Sequence, residues 1–354
     1  FYKGNGLSKN DLSDSGYSCI LYGQLYTTYL NEVITSTVSK TNAKLDNPFY
    51  AKRNDLIIPS SGEDPIDIAV ARSLQVDNVL LGGDLNVLRP KSILNSSFLS
   101  YQLNGKRKVD IAKIAQGKSI VHLHNCDLKR IKINYPCIEE QNKIANLLFQ
   151  LDKLIETQIK IIEDYIYLNK CIINELIINL EEYTECYILD IAKIGRGRVI
   201  SSKEINKQLK PIYPVYSSQT SKNGIMGYLD QYEFDGEYIT WTTDGANAGT
   251  VYYRNGKFNC TNVCGTLKIN KENDTFFVSK VLSCTTSSYV SKNLANPKLM
   301  NNVMAKIKIK LPSLDKQREF SKIIKSIEKK IKYEKDLLDL LKSQKNYFLK
   351  NLFI

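Results

Sequence analysis

Histidine is scarce in this 354-residue chain, and its scarcity excludes several kinds of chemistry. Only His122 and His124 occur, which leaves little for histidine-dependent acid–base catalysis or for a histidine-rich metal site. Long apolar runs are also missing. No run approaches the roughly 18 residues of a membrane span, and the opening residues, FYKGNGLSKN, contain no apolar signal-peptide core. We therefore expect a protein of the cytoplasm that does not enter a membrane.

Disulfide bonds are not expected. The eight cysteines are scattered through a chain that is long enough to fold around hydrophobic cores, so free thiols in a reducing compartment are the simpler interpretation. Hydrophobic residues make up 43% of the chain and charged residues 24%, which is typical of globular proteins and excludes disordered and fibrous classes. At roughly 150 residues per domain, the length indicates two domains.

Acidic residues are outnumbered by basic ones. The 49 Lys and Arg exceed the 37 Asp and Glu, giving a formal charge of +12. This excess indicates a polyanionic partner, because clustered cations displace counterions from phosphates. The charge divides the chain into four blocks. Residues 1–134 and 190–310 carry +5 and +8, whereas the shorter blocks 135–189 and 311–354 carry −6 and +5.

The two shorter blocks repeat each other at a shift of 176 residues. The shift places IKINYP (131–136) on IKIKLP (307–312) and Gln141 on Gln317, and the register continues without a gap through the following segment. This agreement indicates two copies of one unit, each made of a strand, a proline and a long apolar-periodic segment.

The segment after each proline predicts a long helix. Apolar residues between Ile144 and Leu176 recur at spacings of three, four or their sums, and those between Phe320 and Leu352 do the same. No proline or glycine interrupts either segment. Each helix could therefore extend for about 40 residues, or roughly 60 Å.

Charges at matched positions of the two segments are opposite in sign. The pairs are Glu140 and Lys316, Lys143 and Glu319, Glu156 and Lys332, and Lys160 and Asp336. Complementary charges beside apolar stripes predict that the helices form an antiparallel intramolecular coiled coil. The alternative is that each helix packs on its own globular block.

This order of elements resembles the specificity subunits of type I restriction-modification enzymes. A variable block, the pattern IKI-x-x-P-x-x-x-x-Q-x-x-[IF], a long helix and a second round of all three cover essentially the whole chain. The residues that support the resemblance most specifically are Pro136, Gln141 and Ile144, and Pro312, Gln317 and Phe320. The family commonly has a glutamate before the glutamine, which Glu140 matches and Lys316 does not.

The resemblance implies an α+β fold in which two β-rich mixed target recognition domains are joined by two long antiparallel coiled-coil helices, with a pseudo-twofold internal repeat. The recognition domains are expected at 1–134 and 190–310, and the spacer helices at 135–189 and 311–354. By analogy with Leu189–Ile191 ahead of Gly195, a further stretch is expected to precede Gly4.

The resemblance also implies the function and the partners. Each recognition domain would read one half of a bipartite double-stranded DNA target, and the helices would dock methyltransferase subunits. A restriction and translocase subunit is a further expected partner. Because S-adenosylmethionine, ATP and Mg²⁺ would bind those partners, the chain is expected to have no catalytic residues, cofactor or metal of its own.

Base reading requires polar side chains on loops, since arginine suits guanine edges and asparagine or glutamine suits adenine. The candidate loops are KGNGLSK (3–9), YGQLYTTY (22–29), RGRVISSK (196–203) and SSQTSKN (217–223). We predict DNA contacts by Arg196, Arg198, Gln219 and Lys222, and also by Lys9, Gln24 and Arg72. The alternative is that these loops are merely solvated.

Two motifs suggest a competing hypothesis, a DNA-modifying or ATP-using enzyme. AKIAQGKS (112–119) fits a relaxed phosphate-binding loop, although it precedes a strand-like segment instead of following one. NPFY (47–50) is similar to the tetrapeptide of amino-methyltransferases but lacks its second proline.

His122, His124 and Cys126 alternate like metal ligands on one strand face, although their repeat counterparts are not ligands. A third hypothesis is a coiled-coil DNA-binding scaffold without sequence specificity.

Overall fold

A computed structural model of the protein describes residues 1–291 and 296–353. The chain divides into two compact units. Unit 1 comprises Phe1–Ile161 with the chain from Glu334 onward, and unit 2 comprises Ile162–Tyr333. Ile354, at the end of the second predicted helix segment, lies outside the described residues. No helix within the described residues is long and apolar enough to span a membrane.

Unit 1 begins with short strands and helices and continues into one long helix. Its strands are β1 (Tyr2–Lys3), β2 (Leu12–Ser13), β3 (Tyr17–Ile20), β4 (Val33–Ile34), β5 (Ser39–Thr41), β6 (Tyr50–Ala51), β7 (Leu56–Pro59), β8 (Ser61–Gly62), β9 (Arg72–Leu74), β10 (Val79–Leu81), β11 (Leu85–Leu88) and β12 (Val121–His122). Its helices are α1 (Gln24–Thr27), α2 (Pro65–Ile68), α3 (Ser96–Asn104), α4 (Lys108–Ile114), α5 (Asn125–Leu128) and the start of α6 (Ile138–Ile178).

Two five-stranded sheets form the centre of unit 1. Their strand orders are β1-β11-β7-β9-β4 and β2-β5-β3-β10-β6. Side chains of a strand alternate between the two faces of its sheet, and strand β7, whose sequence is LIIP, is buried on both. Ile57 packs with Ile20 and Leu81 of the other sheet, whereas Leu56 and Ile58 pack against helices α3 and α4.

Unit 2 contains the end of α6 and most of a second long helix. Its strands are β13 (Thr184–Tyr187), β14 (Ala192–Arg196), β15 (Tyr213–Tyr216), β16 (Ile225–Leu229), β17 (Tyr238–Thr242), β18 (Val251–Arg254), β19 (Asn259–Cys260), β20 (Cys264–Ile269) and β21 (Lys308–Leu311). Its helices are α7 (Ile188–Ile191), α8 (Ser202–Asn206), α9 (Thr275–Thr285), α10 (Asn301–Ala305) and the start of α11 (Leu314–Asn351), which continues into unit 1.

The two units share one topology. The order β14-β20-β17-β18 in unit 2 matches β1-β11-β7-β9 in unit 1, and β16-β15-β19 matches β5-β3-β10. Helices α3 and α9 both follow the first sheet, and their capping side chains, Asn95 and Asp274, accept hydrogen bonds from the third helical N–H in the same way. The internal repeat therefore extends beyond the helices to the globular blocks. The predicted block boundaries at 134, 189 and 310 remain a prediction.

The repeated glutamine ties each long helix to its own block. Gln141 Oε1 accepts a hydrogen bond from the Asn95 N–H at 2.8 Å, and its Nε2 donates to the carbonyl oxygens of Ile93 and Pro136 at 2.9 Å each. Gln317 Oε1 likewise accepts from the Asp274 N–H at 2.9 Å, and its Nε2 donates to the Pro312 carbonyl oxygen at 2.9 Å. Both side chains are buried. The proline and the glutamine recur together because they are two ends of one hydrogen-bonded contact.

The long helices pack in antiparallel directions within each unit. In unit 1, Asp152 of α6 contacts Lys345 of α11, and Gln158, further along α6, contacts Glu334, an earlier residue of α11. In unit 2, Ile173 of α6 packs with Ile324 of α11. The predicted antiparallel pairing of the helices agrees with these contacts. Each helix also packs on its own block, so the alternative arrangement holds as well.

Candidate nucleic-acid interface

The two candidate loops of unit 1 lie side by side. The loop after β1 and the segment around α1 line one groove of about 450 Å³, to which Ser8, Lys9, Tyr22, Gln24 and Thr28 contribute. Lys9 is exposed on a short 3₁₀ turn, Lys9–Asp11. The Asp11 carboxylate accepts hydrogen bonds from the Ser8 hydroxyl and N–H, which lower the pKa of Asp11 and fix the turn.

Gln24 has local partners within this groove. Its Oε1 accepts a hydrogen bond from the Leu21 N–H at 2.9 Å, and its Nε2 donates to the Ser39 hydroxyl at 2.6 Å. The side chain is half-buried. Gln24 therefore holds the loop in shape, and a contact with DNA would require it to exchange one of these partners.

Arg72 is the one predicted contact that the structure places in the interior. It lies on β9 with 5% of its surface exposed, and its Nε donates to the Tyr29 carbonyl oxygen at 2.7 Å. Burial lowers the pKa of Arg72, and the carboxylates of Glu32 and Asp152 oppose that shift. The DNA contact of Arg72 stays a prediction, and its burial does not support it; the local sequence does not reveal that this strand is buried.

In unit 2, carboxylates hold the two predicted arginines. Arg196, at the end of β14, donates through Nη2 to Thr243 Oγ1 at 3.0 Å and to Asp244 Oδ2 at 3.3 Å. Arg198 contacts Glu204 and Glu233, each at 2.5 Å. The hydrogen bond to Glu204 is the main cause that raises the pKa of Arg198. Both guanidinium groups are therefore held in position by carboxylates while remaining partly exposed.

Gln219 and Lys222 occupy the second candidate loop of unit 2. The Gln219 amide donates to the carbonyl oxygen of Ile225 across the loop. Lys222 is exposed, and it has a φ of 48°, followed by 57° at Asn223 and 83° at Gly224. Non-glycine residues with positive φ are uncommon, and the DNA contact of Lys222 stays a prediction.

Backbone hydrogen bonds bring the two loops of unit 2 together. The Arg198 N–H donates to the Cys260 carbonyl oxygen at 3.2 Å, and the next residue, Thr261, donates its N–H to Tyr216 at 2.8 Å. Tyr216 is followed directly by the loop 217–223. Only the end of β19 therefore separates the loops 196–203 and 217–223.

A glycine starts the first loop in each unit because the backbones come very close there. A Cβ at Gly4 would lie 2.0 Å from the Gly82 carbonyl oxygen, and one at Gly197 would lie 2.1 Å from that of Cys260. The two N–H groups donate to equivalent carbonyl oxygens, those of Leu85 and Cys264. Gly4 and Gly197 are therefore equivalent positions.

This equivalence identifies two residues that the sequence reasoning missed. Lys3 pairs with Asn86 on β11, as Arg196 pairs with Gly265 on β20, so Lys3 corresponds to Arg196. Asn5 corresponds to Arg198 by the same alignment, and both Lys3 and Asn5 are exposed. The shift here is 193 residues instead of 176, so the helix repeat does not align them. In both loops a basic residue precedes the glycine, as KGN and RGR show. This shared order was the sequence signal that could have identified Lys3 and Asn5.

The motifs that suggested an enzyme have structural roles. In AKIAQGKS the chain leaves α4 and turns at Gly117, where Gln116 and His122 exchange backbone hydrogen bonds of 2.9 and 2.7 Å before β12. A phosphate-binding loop has the opposite order, strand before helix. In NPFY, Asn47 accepts a hydrogen bond from Asn5, and Phe49 packs against Tyr2. Residues 1–291 and 296–353 contain no group of His, Cys, Asp and Glu suited to a metal.

Unit 1 also has an apolar cavity of about 520 Å³ beside β7, β11 and α3. Its lining includes Leu88, Leu99, Ile131 and Ile133. The equivalent residues of unit 2, among them Leu267, Val278, Ile307 and Ile309, surround Ile188 and Ile191 of α7. The cavity is therefore the place where unit 2 packs an apolar helical turn, and its lining is apolar apart from Arg89, Lys91 and Lys129.

The chain contains two topologically equivalent α+β domains. Each presents two adjacent polar loops, and a buried glutamine fixes each to long antiparallel helices. This arrangement defines a recognition protein with two recognition domains. The family model described as the type I restriction modification DNA specificity domain matches residues 3–164 and 181–343. The chain belongs to this family.

Individual relatives agree with the family assignment. A putative type I specificity subunit of Mycoplasma pneumoniae is 37% identical over 205 residues, which cover 57% of this chain and 85% of the relative. The type I restriction enzyme MpnII specificity subunit of the same organism is 42% identical over 143 residues, which cover 40% of this chain and 43% of the relative.

A solved structure shows the same fold. The crystal structure of a type I restriction-modification S subunit from M. genitalium matches 100% of this chain and 93% of its own, with a TM-score of 0.67 and 21% sequence identity. The predicted family, fold class and role in DNA recognition are confirmed. The enzyme and the non-specific scaffold are not favoured.

Proposed function

We propose that this chain is the non-catalytic subunit that selects the DNA target of a type I restriction-modification enzyme, and that each unit reads one half of a bipartite sequence. The observation that carries the proposal is the pair of equivalent loops in each unit. The loops 3–9 and 22–29 occupy the same places on the scaffold as 196–203 and 217–223. Their sequences differ. One scaffold with two different sets of polar loops is what two different half-sites require.

The side chains on these loops suit the two kinds of contact that DNA offers. A guanidinium that a neighbouring carboxylate already orients, as in Arg196, loses less freedom when it forms two hydrogen bonds to a guanine edge. Arg198 would exchange its bonds to Glu204 or Glu233 for such a contact. The exposed ammonium groups of Lys3, Lys9 and Lys222 suit phosphates, which are read without regard to sequence. Phosphate contacts are thus available in both units, and arginines oriented for base contacts are available in unit 2.

We further propose that the long helices dock the methyltransferase subunits. In unit 1, α6 exposes Leu147 and Leu154, and α11 exposes Leu340 and Tyr347, with more than 60% of each α11 side chain accessible. Each pair is seven residues apart, so its members lie on one face of their helix. Exposed apolar stripes of this kind are surfaces that a partner protein covers. A restriction and translocase subunit would join this assembly.

The cofactors and the compartment follow from this assignment. S-adenosylmethionine, ATP and Mg²⁺ would bind the partner subunits, since the motifs of this chain that resembled their sites have structural roles. The compartment would be the cytoplasm, which is reducing and holds the host DNA, and all eight cysteines are free thiols.

Exchanging the globular part of unit 1 should change one half-site only. The change is to replace residues 1–134 with the corresponding block of a homologue while keeping Asn95 and Tyr101, which contact α6. We expect the recognised sequence to change in one half and to stay the same in the other, because the loops of unit 2 are untouched. Mapping of methylated bases in host DNA measures both halves in one experiment.

Two results would contradict the proposal. A change in both halves would show that the units do not read independently, and DNA binding that ignores sequence would favour the non-specific scaffold. Calorimetric titration of the isolated chain with S-adenosylmethionine or ATP provides a separate check, since saturable binding would favour the enzyme.

Charged substitutions on the apolar stripe of α11 should weaken the docking of the methyltransferase. In the variant Leu340→Glu with Tyr347→Glu, each carboxylate would enter the interface without a partner, and we expect co-purification with the methyltransferase subunit to fall about tenfold or more. The matched control is Lys342→Glu, an exposed position on the same helix. Normal assembly of the double variant would place docking on the globular parts instead.

A further inference from the structure

A buried ion cluster in unit 1 joins α6, α11 and the globular part. The Lys345 ammonium of α11 lies 2.7 Å from Glu32 Oε2 and 2.6 Å from Asp152 Oδ1, and the side chains of these two acids are 8% and 3% exposed. The Tyr101 hydroxyl donates to Asp152 Oδ2 at 2.7 Å. We call Glu32, Tyr101, Asp152 and Lys345 the lysine site.

Both acids of the lysine site depend on this one lysine. Burial raises the pKa of Asp152, and Lys345 opposes that shift. Burial would lower the pKa of Lys345, but Glu32 and Asp152 outweigh it, and the pKa of Lys345 is raised. The charge of the nearby Arg72 also interacts with Glu32 and Asp152, but its guanidinium donates its hydrogen bonds to the carbonyl oxygens of Tyr29 and Ala71 and not to either acid. Removing the lysine would take away the ammonium group that contacts both buried carboxylates, which is strongly unfavourable.

The corresponding site of unit 2 has a different distribution of charge. The 176-residue shift aligns Asp152 with Glu328 and Lys345 with Asn169, and the capped starts of α3 and α9 align Tyr101 with Lys280. Lys280 Nζ lies 2.5 Å from Glu328 Oε1. Asn169 lines a groove together with Ser283 and Cys284, which belong to the same helix as Lys280.

The cation of the two sites therefore comes from different elements. In unit 1 the second long helix, α11, brings it as Lys345, whereas in unit 2 the globular part brings it as Lys280 and the facing helix, α6, carries the neutral Asn169. The acid Glu32, next to β4, belongs to unit 1 alone, because the described sheet of unit 2 has no strand equivalent to β4.

We propose that these two sites impose a pairing rule, so that each unit accepts only the helix segment that it now holds. A segment with asparagine in place of Lys345 would leave Glu32 and Asp152 without the cation that now contacts both. A segment with lysine in place of Asn169 would bring a second ammonium to Glu328 beside Lys280. Both wrong pairings are thus penalised, which is how specificity against a similar competitor is built.

The rule concerns which helix segments recognise each other and does not depend on DNA recognition. The two long helices repeat one sequence pattern at a shift of 176 residues, so their apolar stripes alone would allow each to pair with a second copy of itself. The charge arrangement makes pairing between the N-terminal and C-terminal halves of the chain the favoured one.

The full-length chain can test the rule in unit 2. Asn169→Lys should increase amide hydrogen exchange of residues 162–177 about tenfold or more, because two ammonium groups would then share one carboxylate. Adding Lys280→Tyr to this variant gives unit 2 the tyrosine, acid and lysine of unit 1, and it should restore the slow exchange. Lys342→Asn, an exposed change on α11, is the control with no expected effect. Slow exchange in Asn169→Lys alone would overturn the rule.

Unit 1 provides the reciprocal test. Lys345→Asn should increase the exchange of residues 334–351 about a hundredfold, whereas Lys345→Asn combined with Glu32→Gln and Asp152→Asn should recover most of the protection. The triple variant keeps the test decisive if the single variant does not fold. Equal exchange in the single and triple variants would show that Lys345 acts by its packing and not by its charge, and would overturn the rule.

Discussion

Removing the chain from Glu334 onward is expected to unfold unit 1, although this segment is separated from the rest of the unit by 172 residues. Phe353 is buried and packs against Phe98 with 5.2 Å between ring centroids. Its carbonyl oxygen accepts a hydrogen bond from Lys106 at 3.0 Å. The deletion would expose this apolar cluster and would remove Lys345 from two buried acids, and either loss alone costs about 3–5 kcal/mol.

Thermal unfolding and hydrogen exchange of the truncated chain measure this effect. Exchange should become fast throughout the strands of unit 1, while the strands of unit 2, which comprises the continuous stretch Ile162–Tyr333, should stay protected. Phe353→Ala in the full chain should reproduce part of the loss, whereas Tyr347→Ala, at an exposed position of the same helix, should not. Protection of unit 1 after truncation would contradict the assignment of this segment to its core.

This dependence affects how partner docking is best studied. A deletion of residues 315–354 would remove the proposed docking stripe, but it would also remove part of the core of unit 1. Loss of assembly in such a chain would therefore have two explanations. Surface changes such as Leu340→Glu with Tyr347→Glu avoid the ambiguity, because they leave Lys345 and Phe353 in place.

The long helices and the repeat could be predicted from the sequence because their signals are periodic. The structure has helices of 41 and 38 residues, against an expected length of about 40, and the repeated proline and glutamine have equivalent contacts in both units. Opposite charges at matched positions of the two helices were a weaker signal. Glu140 pairs with Lys143 and Glu156 pairs with Lys153, in both cases on the same helix. Solvated charges three residues apart satisfy each other locally.

The parts of the candidate site that the sequence could not predict depend on long-range packing. The sequence around Arg72 does not distinguish it from an exposed residue. Only the packing of strands and a helix around it buries its guanidinium, which donates hydrogen bonds in the interior. Lys3 and Asn5 lie at the end of a two-residue strand, which is too short for a periodic signal. The lysine site joins residues as distant as Glu32 and Lys345, and no local pattern marks such a contact.

Replacing either repeated glutamine should destabilise its own unit and leave the other unaffected. In Gln141→Leu, the Asn95 N–H and the carbonyl oxygens of Ile93 and Pro136 would lose their partner. An unsatisfied buried group costs about 1–3 kcal/mol, and these three are only partly buried, so we expect a loss of about 1–3 kcal/mol in the free energy of unfolding of unit 1. Gln317→Leu should have the same effect on unit 2.

Hydrogen exchange resolved by segment distinguishes the two effects, since each variant should accelerate exchange in α3 or in α9 but not in both. The neighbouring exposed residues provide matched controls: Glu140→Leu and Lys316→Leu make similar substitutions one position earlier without removing a buried hydrogen bond.

Gln→Glu variants add a stricter comparison. A carboxylate can still accept from Asn95 or Asp274 N–H but cannot donate to the carbonyl oxygens. If the acceptor alone fixed the helix, Gln141→Glu would be as stable as the parent; we expect it to be nearly as unstable as Gln141→Leu, because a buried charge would face the Ile93 and Pro136 oxygens.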